Sequence, residues 1–408
     1  MLRFKPSVLL AALLATCSAA HAEFSIPGFE LVQTAPVETT LHSDDLRDPA
    51  TVWSEMFDKA QKEIVLGQFY VVNQPGSKFE KVVRHLEAAG KRGVKIRFLL
   101  DAKGVNLSEK PTIDQLKAIP NLELRIIDFN KVTGNGIIHA KYMVVDGATA
   151  YVGSQNFDWR SFEHIHETGL RVTDSKIASQ VQAVFEQDWA AQAAIAAGGK
   201  AKVLNTERAQ ADYSQNAFLL ASPNAYNPAG VGDSETGLPA LLAQAKSEVR
   251  IQLLDYAPLS YGPNHTRPYY AVIDNAVRAA AQRGVKIKLM VSNWNLEKPA
   301  QAYLKSLAVL PNVEVRIVTL PQFSGGFIPF ARVTHSKTMV IDNQIAWVGT
   351  SNWAGGYLDL SRNLEIVLRN EKMAQRLAAV HEQEWSSAYT QPLDINKDYP
   401  RPVKGTQE

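Results

Sequence analysis

Ile138-His139-Ala140-Lys141-Tyr142-Met143-Val144-Val145-Asp146, with Gly153-Ser154-Gln155-Asn156 after it, is matched downstream by Thr334-His335-Ser336-Lys337-Thr338-Met339-Val340-Ile341-Asp342 and Gly349-Thr350-Ser351-Asn352. Both read His-x-Lys-x4-Asp, then Gly-Ser/Thr-x-Asn after the same gap. The apolar filling is that of a strand, and on a strand residues two apart share a face, so each His and its Lys point the same way. One such copy reads as an ordinary surface strand. Two copies with the same filling and the same downstream signature imply two related halves whose motifs meet in one site.

The repeat extends outward from the motif. Arg92-Gly-Val-Lys-Ile-Arg97 recurs as Arg283-Gly-Val-Lys-Ile-Lys288, and Pro120-Asn-Leu-Glu-Leu-Arg-Ile126 as Pro311-Asn-Val-Glu-Val-Arg-Ile317, both offset by 191. The motifs are offset by 196, as are the segments Phe185-Glu-Gln-Asp-Trp189 and His381-Glu-Gln-Glu-Trp385. The second half therefore gains five residues around Phe323-Ser-Gly-Gly-Phe327.

Within the first half, spacing predicts a helix over 53–62 and a buried strand over 63–72. Ser77-x-x-Glu80 is a capping box that opens a helix with Phe79, Val82, Val83 and Leu86 on one face. Gly90 and Gly93 surround its end. Strands over 94–100 and 122–127 enclose a short helix over 112–118. Two strands, 142–145 and 148–152, join at Asp146-Gly147, and a helix over 175–193 closes the half. Residues 23–50 read as an extended arm and 390–408 as a polar tail. Alternating strands and helices indicate layered α/β domains. The expected division is a signal peptide at 1–22, a first domain at 23–196, a linker at 197–217, a second domain at 218–390 and a tail at 391–408.

Composition sets the outer limits. The 408 residues are 46% hydrophobic and 21% charged, as in globular chains large enough for two domains. Arg3 and Lys5 precede an apolar run from Val8 to Ala15 and a small-residue site at Ala20-His21-Ala22, the layout of an export signal. Export to the periplasm or the extracellular space is the expectation, with the mature chain starting at Glu23. The single cysteine, Cys17, lies inside that signal, so disulfides and thiolate metal ligands are excluded from the mature chain. Without Arg3 and Lys5 there are 41 basic residues against 41 acidic ones. An anionic substrate must then be gripped locally rather than by an overall field. No later stretch is long and apolar enough to span a bilayer.

The paired motif carries chemistry suited to a phosphodiester. Without a metal, cleavage calls for a side-chain nucleophile, an acid for the leaving oxygen, and cations on the phosphoryl oxygens. His139 and His335 can divide the first two roles, and Lys141 and Lys337 supply charge. Ser154, Thr350, Asn156 and Asn352 can add neutral donors. Asp146 and Asp342 fix a turn or orient a neighbour. Each imidazole needs a group that sets its tautomer, and Glu167 and Glu365 are the candidates. His164-x-His166 has the look of a metal pair, but no acidic or thiolate spacing supports it, and no cofactor is expected. For Trp159, Trp353 and Tyr357, core packing is the default. Phe323, Phe327 and Phe330 fit either the core or an exposed loop beside the site.

With these residues in place, the chain resembles the phospholipase D superfamily, whose mark is a pair of His-x-Lys-x4-Asp motifs. The resemblance implies two similar α/β domains, each a mixed sheet flanked by helices, related by a pseudo-two-fold and sharing one active site. It implies a covalent phosphohistidine intermediate and a catalytic set of His139, Lys141, Asn156, His335, Lys337 and Asn352, supported by Glu167 and Glu365. Family members usually carry Asn two residues before the supporting Glu. Asn363-x-Glu365 fits that pattern and Ile165-x-Glu167 does not. The segments 153–161, 328–335 and 349–355 are most similar to the animal lysosomal members three and four, which trim single-stranded DNA and RNA from the 5′ end. Those relatives carry cysteines that this chain lacks.

Three functions follow as expectations. The first is a secreted exonuclease acting on single-stranded nucleic acid, with aromatic residues stacking bases. The second is a phospholipase D or transphosphatidylase whose 323–330 loop touches a membrane surface transiently. The third is a non-catalytic binding protein, which the completeness of both motifs disfavours.

Overall fold

A computed structural model of the chain describes residues 23–260 and 266–405. The expected signal peptide lies outside the described residues. The first sheet has eight strands and the second nine. In each, three parallel strands lead into an antiparallel set. Glu63–Gln68, Lys95–Asp101 and Leu122–Ile127 run parallel, and Tyr142–Val145, Thr149–Gly153, Glu167–Val172 and Phe29–Thr34 add on antiparallel. The second half repeats the pattern with Glu248–Leu253, Lys286–Ser292 and Val313–Val318, then Thr338–Ile341, Ile345–Gly349, Asn363–Arg369 and Ala217–Ser222. This is the mixed α/β architecture the motif repeat implied.

Strand alternation builds three layers of core. One face of the first sheet, with Ile64, Leu66 and Met143, packs on helices Pro49–Lys59 and Lys78–Lys91. The corresponding face of the second sheet, with Ile251, Leu289 and Met339, packs on helices Ser234–Leu242, Ala271–Gln282 and Ala300–Ala308. The opposite faces turn inward. Val144, Val152 and Leu170 meet Ala346, Val348 and Ile366 in one cluster with helices Ser175–Ala196 and Glu371–Trp385. The two halves therefore share a continuous apolar centre, which keeps the motif strands in register with each other.

Local chemistry explains the connections. Ser77 accepts from the Glu80 N–H at 3.1 Å, while Glu80 reaches back to the Gly76 N–H, a capping box shifted by one residue. Asp146 and Gly147 have φ of 53° and 67°, and Asp342 and Asn343 have 52° and 54°, so both hairpins turn through left-handed residues.

Three expectations need correcting. The arm at 23–50 is not a free extension, because Phe29–Thr34 is a full strand of the first sheet. The 63–72 strand is broken after Gln68 and resumes as the two-residue piece Val71–Val72. The tail is not detached, because Thr390–Pro392 pairs with Val313–Val318 and Leu393 is buried in the second core.

Candidate active site

The two motifs meet through a pair of symmetric backbone contacts. Ile138 bridges to Arg362, and Thr334 bridges to His166. Shifting either bridge by 196 residues gives the other. The N–H groups of His139 and Ala140 donate to the Arg362 carbonyl at 3.0 and 2.9 Å. Those of His335 and Ser336 donate to the His166 carbonyl at 2.8 and 3.1 Å. Each histidine is thus seated on the other half of the chain, and His139 and His335 line one cavity of about 690 Å³.

The tautomer of each imidazole is set from across the pseudo-two-fold. His335 Nδ1 lies 2.7 Å from Glu167 Oε2. His139 Nδ1 lies 3.0 Å from Asn363 Oδ1. The Asn363 amide is itself oriented, because Nδ2 donates to the Tyr357 carbonyl at 2.8 Å and Oδ1 accepts from Thr350 at 2.9 Å. His139 therefore carries its proton on Nδ1 and presents a free Nε2 lone pair.

Glu365 does not orient a histidine. It accepts from Ser351 at 2.8 Å and from Ser234, away from both rings. Sheet register explains the misassignment: Glu365 lies opposite Gly349, as Gly169 lies opposite Gly153, so Glu365 is the counterpart of Gly169 and Asn363 that of Glu167. A Cβ at Gly169 would sit 2.2 Å from the Tyr151 hydroxyl, so the first half has no room for a second carboxylate there. An equal spacing of eleven residues, from Asn156 to Glu167 and from Asn352 to Asn363, carried this signal in the sequence.

The remaining motif residues sort by position. Lys141 and Lys337 are buried, and their ammonium groups hold the carbonyls of His139 and His335. Asn156 and Asn352 line the cavity, and their Oδ1 atoms have no hydrogen-bond partner among the described residues. Ser154 and Thr350 do not face the cavity as donors to an incoming group. Ser154 bonds the backbone of Thr168 in both directions, and Thr350 bonds Asn363 and the Leu364 N–H. Asp146 and Asp342 stand off the site. Asp146 accepts the N–H groups of Gln61, Lys62 and Glu63, and Asp342 those of Lys246, Ser247 and Glu248. His166 is held by Glu384 at 2.9 Å and Gln33 at 3.0 Å, and no metal-holding cluster occurs among the described residues.

Electrostatics match a site waiting for an anion. Burial, followed by the charges of Lys141 and Lys337, holds His139 neutral. Burial and the same two lysines do so for His335. Burial pulls Lys337 down to about 7 against the opposing pull of Glu167 and Asp255, and pushes Glu167 up to about 7. A bound phosphate would restore the ammonium charge and draw the shared proton of the Glu167–His335 pair onto the imidazole.

Aromatic rings form much of the cavity wall: Phe69, Tyr70, Trp159, Trp294, Phe330 and Tyr357. The Tyr357 ring stands 4.8 Å from that of His139, edge on. Trp159 and Tyr357 thus belong to the wall, whereas Trp353 is buried against Trp347. Phe330, half exposed on the 323–332 loop, and Arg332 both have positive φ, at 58° and 55°. Such backbone is costly for bulky residues and persists only where the surrounding structure holds it. Phe69, Tyr70 and Trp294 carried no motif signal.

The chain is similar to known proteins along most of its length. The family described as "Cardiolipin synthase, PLD-like domain" matches residues 54–189 and 238–385. Phospholipase D Z of Dictyostelium discoideum is 30% identical, over 89% of this chain and 90% of its own. The 5′-3′ exonuclease PLD4 of Mus musculus is 28% identical, over 85% of this chain and 75% of its own. Among solved structures, phosphatidylserine synthase of Haemophilus influenzae superimposes with a TM-score of 0.60 at 13% identity, covering 84% of this chain and 85% of that one.

Proposed function

The chain belongs to the phospholipase D superfamily and is a phosphodiesterase of that family, and we propose that it is an exported enzyme whose substrate is single-stranded nucleic acid. The observation that carries the substrate reading is the wall of the cavity. Rings on several sides of a buried two-histidine, two-lysine centre suit bases that stack around a phosphate, and stacking tolerates any base. A relative named as a 5′-3′ exonuclease aligns along most of the chain and supports the same class.

In this reading His139 Nε2 attacks phosphorus and His335 gives its proton to the departing oxygen. Water, activated by His335, then releases the phosphoryl group from His139. Lys141, Lys337, Asn156 and Asn352 hold the phosphoryl oxygens in both steps. His139, Lys141, Asn156, His335, Lys337 and Asn352 are accordingly the proposed catalytic residues.

A relative named phospholipase D at 30% identity favours a second reading, hydrolysis of phospholipids. The mature protein, incubated in excess chelator with end-labelled single-stranded DNA and separately with phosphatidylcholine vesicles, distinguishes the two. Stepwise shortening of the DNA is expected. Choline release without DNA shortening would replace the nuclease reading. Since Lys337 titrates near 7, kcat/KM should also fall as pH rises above that value, and a rate that climbs steadily to pH 9 would remove Lys337 from phosphate binding.

A further inference from the structure

Beside the catalytic cavity lies a second one of about 750 Å³, and the two share Trp294 and Ile328 in their walls. Its wall is built largely from the C-terminal segment and from the loop that carries Phe330. The Phe330 N–H donates to the Lys404 carbonyl at 2.7 Å, which ties loop and tail together. Neither the paired motifs nor the chemistry above involves this space.

Its lining is cationic and aromatic. Arg332, Lys397 and Arg401 share the wall with the carboxylate of Asp394. Arg332 is 7% exposed; its Nε donates to the Pro321 carbonyl and its Nη1 to that of Val37, both at 2.7 Å, while Nη2 has no partner among the described residues. Nη2 is shielded from solvent and the Glu38 carboxylate acts on the guanidinium, so Arg332 gives this wall positive charge rather than an open donor. Lys397 lies over the Tyr399 ring at 5.1 Å, and Lys404 over the Trp294 ring at 5.7 Å. Phe327 adds a ring to the wall on which a planar group can stack.

We infer that this second cavity is an extension subsite that holds the part of a single-stranded nucleic acid lying beyond the nucleotides in the catalytic cavity. The inference rests on the nuclease reading and deepens it. Trp294 and Ile328 belong to both walls, so the two spaces lie side by side, and the cations of the second wall fit the phosphates of a strand that runs on from the first. The rings fit its bases, as in other single-strand grooves that combine charge with stacking platforms. An acyl chain would make no use of the cations in this wall, where Arg401 has only a loose 3.6 Å pairing with Glu297.

The test compares the parent with Lys397→Glu/Arg401→Glu, two exposed side chains remote from the histidines. Substrates are a trinucleotide and a single strand of about 20 nucleotides, longer than typical single-strand site sizes, with a chromogenic aryl phosphodiester as control. The double variant should raise KM for the long strand about tenfold, the scale expected when two phosphates go without a cation. It should leave the trinucleotide and the control unchanged. The salt dependence of kcat/KM on the long strand should flatten, by about 0.7 in log–log slope for each phosphate no longer neutralised. Equal losses on long and short strands, or no change on either, would overturn the subsite. A parent that hydrolyses the control and cleaves neither strand would instead overturn the nuclease reading, and the subsite with it.

Discussion

At the residue scale, the site's asymmetry lies in what stands behind each imidazole. Asn363 offers His139 a neutral acceptor, which fixes the Nδ1 proton and cannot take it away. Glu167 offers His335 a carboxylate that can balance an imidazolium or share its proton. The first environment suits a nucleophile whose Nε2 lone pair must be available, and the second suits a group that gives and takes protons. We therefore expect the phosphoryl group on His139. With an activated aryl phosphodiester, which needs no acid, His335→Ala should accumulate this adduct, and His139→Ala should form none. Intact-mass and peptide analysis of acid-sparing quenches reads it directly. An adduct on His335 would reverse the assignment, and none in any variant would point to direct attack by water. The sequence marked both histidines and both lysines because the motif repeats. It pointed past Asn363 to Glu365 because a neutral amide stands where the other half has a carboxylate.

At the element scale, the aspartate of each motif serves the hairpin rather than the chemistry. The turns at Asp146-Gly147 and Asp342-Asn343 need left-handed backbone, and the carboxylates staple them to the start of the neighbouring parallel strand. Burial raises the Asp342 carboxyl, but Ser247 and the N–H groups of residues 246–248 outweigh it and lower the pKa overall. Asp342→Ala leaves three N–H groups without this acceptor and should lower unfolding stability by about 1–3 kcal/mol in urea titrations. KM should be unchanged. Lost turnover at unchanged stability would place Asp342 in the reaction instead.

Strands with strong local patterns were legible, and those defined only by partners were not. Phe29–Thr34 and Ala217–Ser222 hold equivalent places, since Thr34 pairs with Glu167 and Ser222 with Asn363. Their sequences, FELVQT and AFLLAS, have little in common. The first lies in a stretch rich in Pro and Thr and the second at the end of a polar linker, so only tertiary pairing reveals them.

At the scale of the whole molecule, a buried ion pair and a buried histidine–carboxylate hydrogen bond sit at symmetric positions across the join. Arg362 meets Asp188 through two bonds of 2.9 and 2.8 Å, and His166 meets Glu384 at 2.9 Å. Adding 196 to 166 and 188 gives 362 and 384, so each pair ties the closing helix of one half to the segment of the other half that seats the first one's own motif histidine. Arg362 is fully buried and also bonds the Ser222 and Tyr226 carbonyls and Asn227 Oδ1. Its own carbonyl receives the His139 and Ala140 N–H groups. Removing only the negative partner leaves a guanidinium without counter-charge in the shared core. Losses of that kind run to about 3–5 kcal/mol, far more than the net value of the pair itself. Asp188→Asn, which keeps size and most hydrogen-bonding capacity, should therefore destabilise the protein by an amount of that order. Because the displaced Arg362 carries the seat of His139 and adjoins Asn363, kcat should fall even under conditions where the variant remains folded. Denaturant unfolding read beside turnover on a small aryl phosphodiester separates the two effects. Stability within about 0.5 kcal/mol of the parent, the range of an ordinary surface change, would show that this pair does not hold the halves together.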